Sequence, residues 1–172
     1  MDFLKLIEER RSMRKYQFKP VEEEKLARIL EAANRAPSAG TLQGYEIYVV
    51  RKKEHRQALV KAAYEQEFLA EAPVVLVFCA DAPRSAEKYG ERGATLYSVQ
   101  DATIACAYAQ LAAKSLELDS VWVGAFDEQA VAGIIHVDQG LRPIIMLPVG
   151  YAGKEAQPRP RRSLKDLIRE VK

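Results

Sequence analysis

Three guanidiniums and a hydroxyl fall within five residues at Arg10-Arg11-Ser12-Met13-Arg14. Arginine offers a planar fork of N–H donors that matches phosphate oxygens bidentately, and a serine hydroxyl adds a further donor to the same group. The run therefore suits a phosphate dianion. It is equally what a solvated basic segment closing a helix looks like, since positive charge complements the negative end of the helix dipole. Two further stretches supply matching pieces: Pro37-Ser38-Ala39-Gly40-Thr41-Leu42-Gln43, and the basic Arg159-Pro160-Arg161-Arg162.

Other chemistries find little support. There is no GxSxG, and neither cysteine has a histidine nearby in sequence to activate it. Cys79 and Cys106 lie in apolar surroundings without a CxxC, and His55 and His136 sit in separate segments, so the two thiols read as core residues and no metal site is expected. Glu22-Glu23-Glu24 reads as the acidic first turn of a helix rather than a catalytic pair. Neither GxGxxG nor GxxxxGK[ST] is present. A chain that offers phosphate donors but no reactive side chain is most economically explained by a phosphorylated cofactor that carries the reaction itself.

The elements that must position these residues follow from patterning. The chain has 172 residues, 48% hydrophobic and 29% charged, enough for one domain, 1–172, with its own core. Lys+Arg 26 against Asp+Glu 24 is too even a balance to argue for nucleic acid. No run approaches the length needed to span a bilayer and the N-terminus shows no long apolar core, so a cytoplasmic location is the default expectation.

Asp2 is placed to cap a first helix with Phe3, Leu6 and Ile7 on one face, and a second helix follows Pro20. Tyr45–Val50 reads as a strand, Lys52–Ala63 as a helix, and a short helical piece carries Phe68 and Leu69. Pro73–Ala80, apolar at nearly every position, reads as a central strand covered on both faces. Gly93 to Leu118 reads as the longest helix, whose only charge between Ala94 and Ala113 is Asp101. Its stripe Ala102, Ala105, Ala109, Ala112, Leu116 would admit close approach of another helix, and part of its surface is expected to be covered by a second subunit. Asp119–Phe126 reads as a strand ending in a glycine loop, Asp127 as the cap of a further helix, and Ile144–Gly150 as a buried strand that Pro148 pushes toward an edge, a bulge or its end. An extended basic tail and a short helix capped by Ser163 close the chain. Helices interleaved with about four strands give a layered domain of α and β elements.

The order of RRSMR, APSAGTLQ, SVQDATIACAYAQLAA, SVWVGAF, LPVGY and the basic tail resembles the nitroreductase family over nearly the whole chain. The resemblance implies an α+β fold of three layers (α/β/α), a mixed β-sheet flanked by helices, forming an intertwined homodimer with FMN at the subunit interface. Arg10, Arg11, Ser12 and Arg14 resemble the family's contacts to the FMN phosphate and ribityl chain. Pro37, Ser38, Ala39 and Thr41 resemble the segment lying along the isoalloxazine ring, contributed by the opposite subunit. At Thr41 the family commonly has Asn; Gln43 matches a frequent glutamine, followed by Gly44 where proline is common. Val123 and Gly124 resemble the loop whose main-chain groups face the flavin near N5, and Arg161, with Arg159, the tail position that returns to the phosphate. No side chain is implied as catalytic.

The activity so implied is FMN-dependent oxidoreduction in two half-reactions at one site: hydride transfer from NADH or NADPH to FMN, then reduction of an electron-poor acceptor such as a nitroaromatic, a quinone or a flavin. Other readings left open are a flavin-binding or storage protein without nicotinamide turnover, the same fold with dehalogenating or dehydrogenating chemistry, and a plain anion- or nucleic-acid-binding module.

Overall fold

The computed structural model describes residues 2–171. In chain order it has helices α1 (Phe3–Glu9) and α2 (Glu23–Asn34), a 3₁₀ turn at Ala39–Thr41, strand β1 (Tyr45–Val50), helices α3 (Lys53–Ala62) and α4 (Phe68–Glu71), strand β2 (Val74–Asp81) and helix α5 (Ala82–Arg92). A π turn at Gly93–Tyr97 leads into α6 (Ser98–Ser115), followed by β3 (Asp119–Ser120), α7 (Glu128–Ile135), β4 (Leu141–Gly150) and α8 (Leu164–Leu167).

The strands form one sheet in the order β1-β2-β4-β3 with antiparallel neighbours. Its parallel component is a single bridge, Ser12 with Ser120. Side chains alternate across a strand, and β2 uses both sides. Val74, Leu76 and Phe78 join Ile145, Leu147 and Val149 under α2 and α6, where Leu26, Ile29, Ala33, Ala102, Ala105 and Cys106 complete one core. Val75, Val77 and Cys79 join Met146 on the other face, under Leu59, Val60, Leu69 and Val131 from α3, α4 and α7. The result is the expected three layers, with β2 central.

Three local expectations take a definite form. The alanine stripe of α6 is buried by the chain's own α2, because Ala102, Ala105 and Ala109 let that helix approach; what α6 leaves uncovered is a different side, carrying the exposed Tyr108. The long helix begins at Gly93, as expected, but its first residues Gly93–Tyr97 form a π turn before α6 proper at Ser98, and the stretch before it forms α5, broken at Gly90 (φ 56°, ψ −143°). The strand from Asp119 shortens to two residues, with Val123 rejoining β4 by reciprocal 3.0 Å hydrogen bonds to Met146. Pro148 sits between those two points of attachment, so its missing N–H faces a stretch with no ladder bond to accept it. A bulge falls at Pro143–Ile144, between the pairs Cys79–Pro143 and Phe78–Ile145.

Both thiols are core residues, as expected. Burial pushes Cys79 up to about 12 and Cys106 well above the ordinary thiol value of 9.0. A group whose folded-state pKa is raised contributes stability that is intact below its unfolded pKa and lost as pH climbs toward the folded one. Stability should therefore fall above about pH 9 by roughly 1.4 kcal/mol per pH unit for each thiol. Urea midpoints at pH 8 and pH 10 check this, and Cys106→Ala should flatten the fall.

Candidate functional site

The two arginine runs meet because of what flanks them. Met13 is buried with Tyr16 and Ala72, and its N–H donates to the Ser120 carbonyl at 3.0 Å. Extended backbone alternates its side chains, so seating Met13 inward turns Ser12 and Arg14 outward. A residue or two later the chain pairs with the end of β4: Tyr16 bridges Ala152, Gln17 N–H donates to Tyr151 O at 2.9 Å, and Gly153 N–H donates to Lys15 O at 2.7 Å. This short ladder delivers the tail beside Arg10–Arg14. The Tyr16 hydroxyl, 2.9 Å from Met13 O and 3.2 Å from Pro148 O, fastens the segment to β4, and burial raises its pKa far above the usual phenol value.

Between the two segments lies a cavity of about 780 Å³, lined by Arg10, Arg11, Ser12 and Arg14 on one side and Lys154, Arg159 and Arg161 on the other, a volume within the usual range for small-molecule sites. Glu8 and Glu155 also line it, but none of the ion pairs among the described residues involves one of these cations. Lys15 is different: its Nζ is paired with Glu71 at 2.7 Å. Burial lowers the pKa of Arg10, and Arg161 and Arg11 lower it further, the signature of crowded positive charge without a counter-ion. Arg11 turns back to donate to Glu8 O and, at 3.0 Å, to Arg10 O, closing the C-terminal end of α1. Arg162 donates to Asp166 O at 2.7 Å and does not line the cavity. Arg10, Arg14, Arg159 and Arg161 thus keep donors for an external anion. As a donor set they fit a phosphate, and with it the phosphorylated end of FMN.

Pro37, Ser38, Ala39, Thr41 and Gln43 are not in that cavity. They form a loop that follows α2, with left-handed backbone at Gly40 (φ 55°), Thr41 (φ 60°) and Gln43 (φ 51°). The loop is held by Asp101, almost fully buried in α6: Oδ1 accepts from Ala39 N–H at 2.9 Å and Oδ2 from Gly44 N–H at 3.1 Å. Ser38 Oγ accepts from Gln43 N–H at 3.0 Å, and Gln43 Nε2 donates to Asn34 Oδ1 at 2.6 Å. Gly44 has a local reason for not being proline: its N–H is used by Asp101, and any Cβ would run into Ser85 Oγ. Asp101 is thus the anchor of the loop, and its signal in the sequence is the lone charge on an apolar helix.

Thr41 is a β-branched residue in the left-handed region, where Asn is several-fold better tolerated. Thr41→Asn should therefore stabilise the fold by about 0.5–1 kcal/mol, read as a higher urea midpoint.

Val123 and Gly124 lie apart from the cavity as well. Both backbone groups of Val123 are engaged by Met146, which leaves Gly124 as the exposed member of the pair. Around it the chain is open, the nearest atom to a Cβ there being Trp122 Nε1 at 3.9 Å. A single chain therefore presents an anion pocket and, separately, a fixed loop and an open glycine. Among the described residues no group of His, Cys, Asp and Glu is placed to hold a metal, and no helix is long and apolar enough to cross a membrane.

The sequence matches the nitroreductase family over residues 7–67 and 60–151. A Methanothermobacter thermautotrophicus protein described as a candidate NADH dehydrogenase/NAD(P)H nitroreductase is 36% identical over 155 residues, covering 88% of this chain and 78% of its own length. An FMN reductase [NAD(P)H] of Bacillus subtilis is 30% identical over 173 residues, covering 93% and 70%. Among solved structures, the NADPH:FMN oxidoreductase of Vibrio harveyi complexed with NAD+ superposes with a TM-score of 0.91 at 25% identity, covering 99% of this chain and 77% of that one. Fold and relatives define the class as oxidoreductase. Within that class, the chain belongs to the nitroreductase family.

Proposed function

We propose that this chain is an FMN-dependent NAD(P)H oxidoreductase working as an intertwined homodimer. The FMN phosphate would sit in the arginine pocket of one subunit, with the isoalloxazine ring along the Pro37–Thr41 loop of the other. The observation that carries this reading is the convergence of Arg10, Arg14, Arg159 and Arg161 on one cavity, with no carboxylate among the described residues ion-paired to them. The family relationship supplies the identity of the anion.

Bound FMN supplies the redox chemistry, accepting an electron pair from NADH or NADPH and passing it to an electron-poor acceptor such as a nitroaromatic, a quinone or a flavin. The chain's residues bind and orient. Arg10, Ser12, Arg14, Arg159 and Arg161 fix the phosphate by charge-assisted hydrogen bonds. Pro37, Ser38, Ala39, Thr41 and Gln43, anchored through Asp101, give one wall, and the Gly124 backbone approaches the ring from the other subunit's side.

The dimer is supported by apolar surface that a single chain leaves uncovered. Phe3, Leu4 and Ile7 are exposed on α1, and Leu164, Leu167, Ile168 and Val171 are exposed at the C-terminal end. Patches of this kind mark interaction surfaces. Changing Leu164, Leu167 and Ile168 together to serine should shift the protein to monomer in sedimentation and lower FMN retention along with it.

The direct test is the visible spectrum of the protein after loading with FMN and gel filtration, followed by anaerobic NADH or NADPH. A retained flavin spectrum that bleaches supports the oxidoreductase and identifies the donor. Retention without bleaching by either nicotinamide would overturn the nicotinamide-linked activity, and no retention would overturn the FMN site.

A further inference from the structure

The Gly124 loop is held at both ends and at one point between. Val123 is fastened to Met146, and Asp127 N–H donates to Ala62 O, at the end of α3, at 2.8 Å. Between them, Gln66 Nε2 donates to Ala125 O at 3.0 Å and to Ala63 O at 2.9 Å. An amide nitrogen carries two N–H groups, and here both bridge the end of α3 to the loop. Among the described residues no other hydrogen bond reaches Gly124, Ala125 or Phe126, so the N–H groups of Gly124 and Ala125 meet no protein acceptor.

The bridge starts from strained backbone. The chain leaves α3 through Tyr64 (φ 55°) and Glu65 (φ 61°), two consecutive left-handed residues where glycine would sit without strain. Each costs on the order of 1 kcal/mol or more, and such strain persists only where the surroundings fix it. Glu65 N–H donates to Val60 O at 3.0 Å, and Leu69 N–H donates to Gln66 O at 3.1 Å. Gln66 is therefore pinned by α3 before it and by α4 after it, and the turn aims its half-buried side chain across to Ala125.

We infer that Gln66 is a positioning residue for the redox step: through Ala125 O it fixes the main chain of Gly124 and Ala125, whose N–H groups face the flavin. The inference rests on the reading of that loop as flavin-facing. Gly124 has open space around it and the widest choice of backbone conformation, so nothing local holds the loop in one shape. Donors fixed beforehand need no reorganisation when charge shifts in front of them, and a misplacement of about 1 Å at a reacting centre can cost a hundredfold in rate. Gln66 does not line the arginine pocket, so its loss should leave the phosphate contacts intact.

The test uses FMN-loaded protein and two variants. Gln66→Leu keeps the bulk without a donor, and Gln66→Glu keeps the shape but has no N–H once ionised. Amide order parameters of Gly124 and Ala125 should be about 0.85 in the parent and fall to about 0.6 in both variants, with Val123 unchanged. In single turnover the limiting rate of flavin reduction should drop about tenfold, with the half-saturating nicotinamide concentration and FMN retention as in the parent. Unchanged order parameters would overturn the positioning role, as would a loosened loop with an undiminished limiting rate. A lower melting temperature with neither change would make Gln66 a structural contact only. If the parent itself retains FMN but is bleached by neither nicotinamide, the oxidoreductase reading has failed and the inference falls with it, although the tether would still show in the order parameters.

Discussion

Asp101→Ala should destabilise the protein by about 2–5 kcal/mol, because it strands two backbone donors that have nowhere else to turn, each worth roughly 1–3 kcal/mol when left unpaired and buried. The carboxylate is almost fully buried and accepts from Ala39 and Gly44, one at each side of the left-handed run Gly40–Thr41–Gln43. The bonds within the loop, from Gln43 N–H to Ser38 Oγ and from Thr41 N–H to Ser38 O, fix its interior, whereas its attachment to the rest of the fold at both ends comes from α6. At about 2–4 °C per kcal/mol for a chain of this size, the melting temperature should fall by roughly 5–15 °C. Asp101→Asn is the sharper comparison. An amide oxygen can still accept from one N–H, but the amide nitrogen would face the other donor to donor, so this isostere should recover only part of the loss. A melting temperature unchanged in Asp101→Ala would show that the loop holds itself.

How much of this could be read from the sequence differs sharply between its parts. The sheet was legible because burial on both faces writes itself as an unbroken apolar run at Val74–Ala80, and the helices because capping aspartates at Asp2 and Asp127 mark their starts. Helix α5 was not. Its start carries a cap signal too, Asp81 accepting from Arg84 N–H with Pro83 just inside, but its inward side is small, buried Ser85 with half-buried Ala86 and Tyr89 set among charges of both signs, and the backbone breaks at Gly90. The alanine stripe of α6 was read correctly as a close-approach surface, but composition cannot say which helix approaches; within the chain it is α2. Within the pocket, residue types pointed to an anion, yet which arginines face it depends on Met13 being turned inward, a fact of tertiary structure, and on Arg11 and Arg162 turning onto backbone carbonyls within four residues of themselves, which residue types alone do not announce. Asp101 was legible only as an anomaly. Its two partners lie about 60 residues away in sequence, at Ala39 and Gly44, and no local pattern announces them.

Arg14→Ala tests the pocket, and its expected effect on FMN binding is a loss of about ten- to a hundredfold. One charge-assisted contact to phosphate is worth roughly 1.5–3 kcal/mol, and each 1.4 kcal/mol is a factor of ten in affinity. The protein stability should scarcely change, because Arg14 is exposed, has no ion pair among the described residues and follows a residue, Met13, that does the packing. Arg11→Ala supplies the contrast within the same five residues. Its guanidinium is turned onto Glu8 O and Arg10 O, so its removal should cost some helix-end stability, about 0.5–1 kcal/mol, and considerably less FMN affinity than Arg14→Ala. Equilibrium titration of apoprotein with FMN, paired with a urea midpoint for each variant, separates the two. If the affinities fell equally, charge alone would be acting, screened and unspecific, and the orientation imposed by Met13 would carry no weight. If Arg14→Ala left FMN affinity untouched, that arginine would not belong to the site at all, and the phosphate would have to be held by Arg10 and the tail.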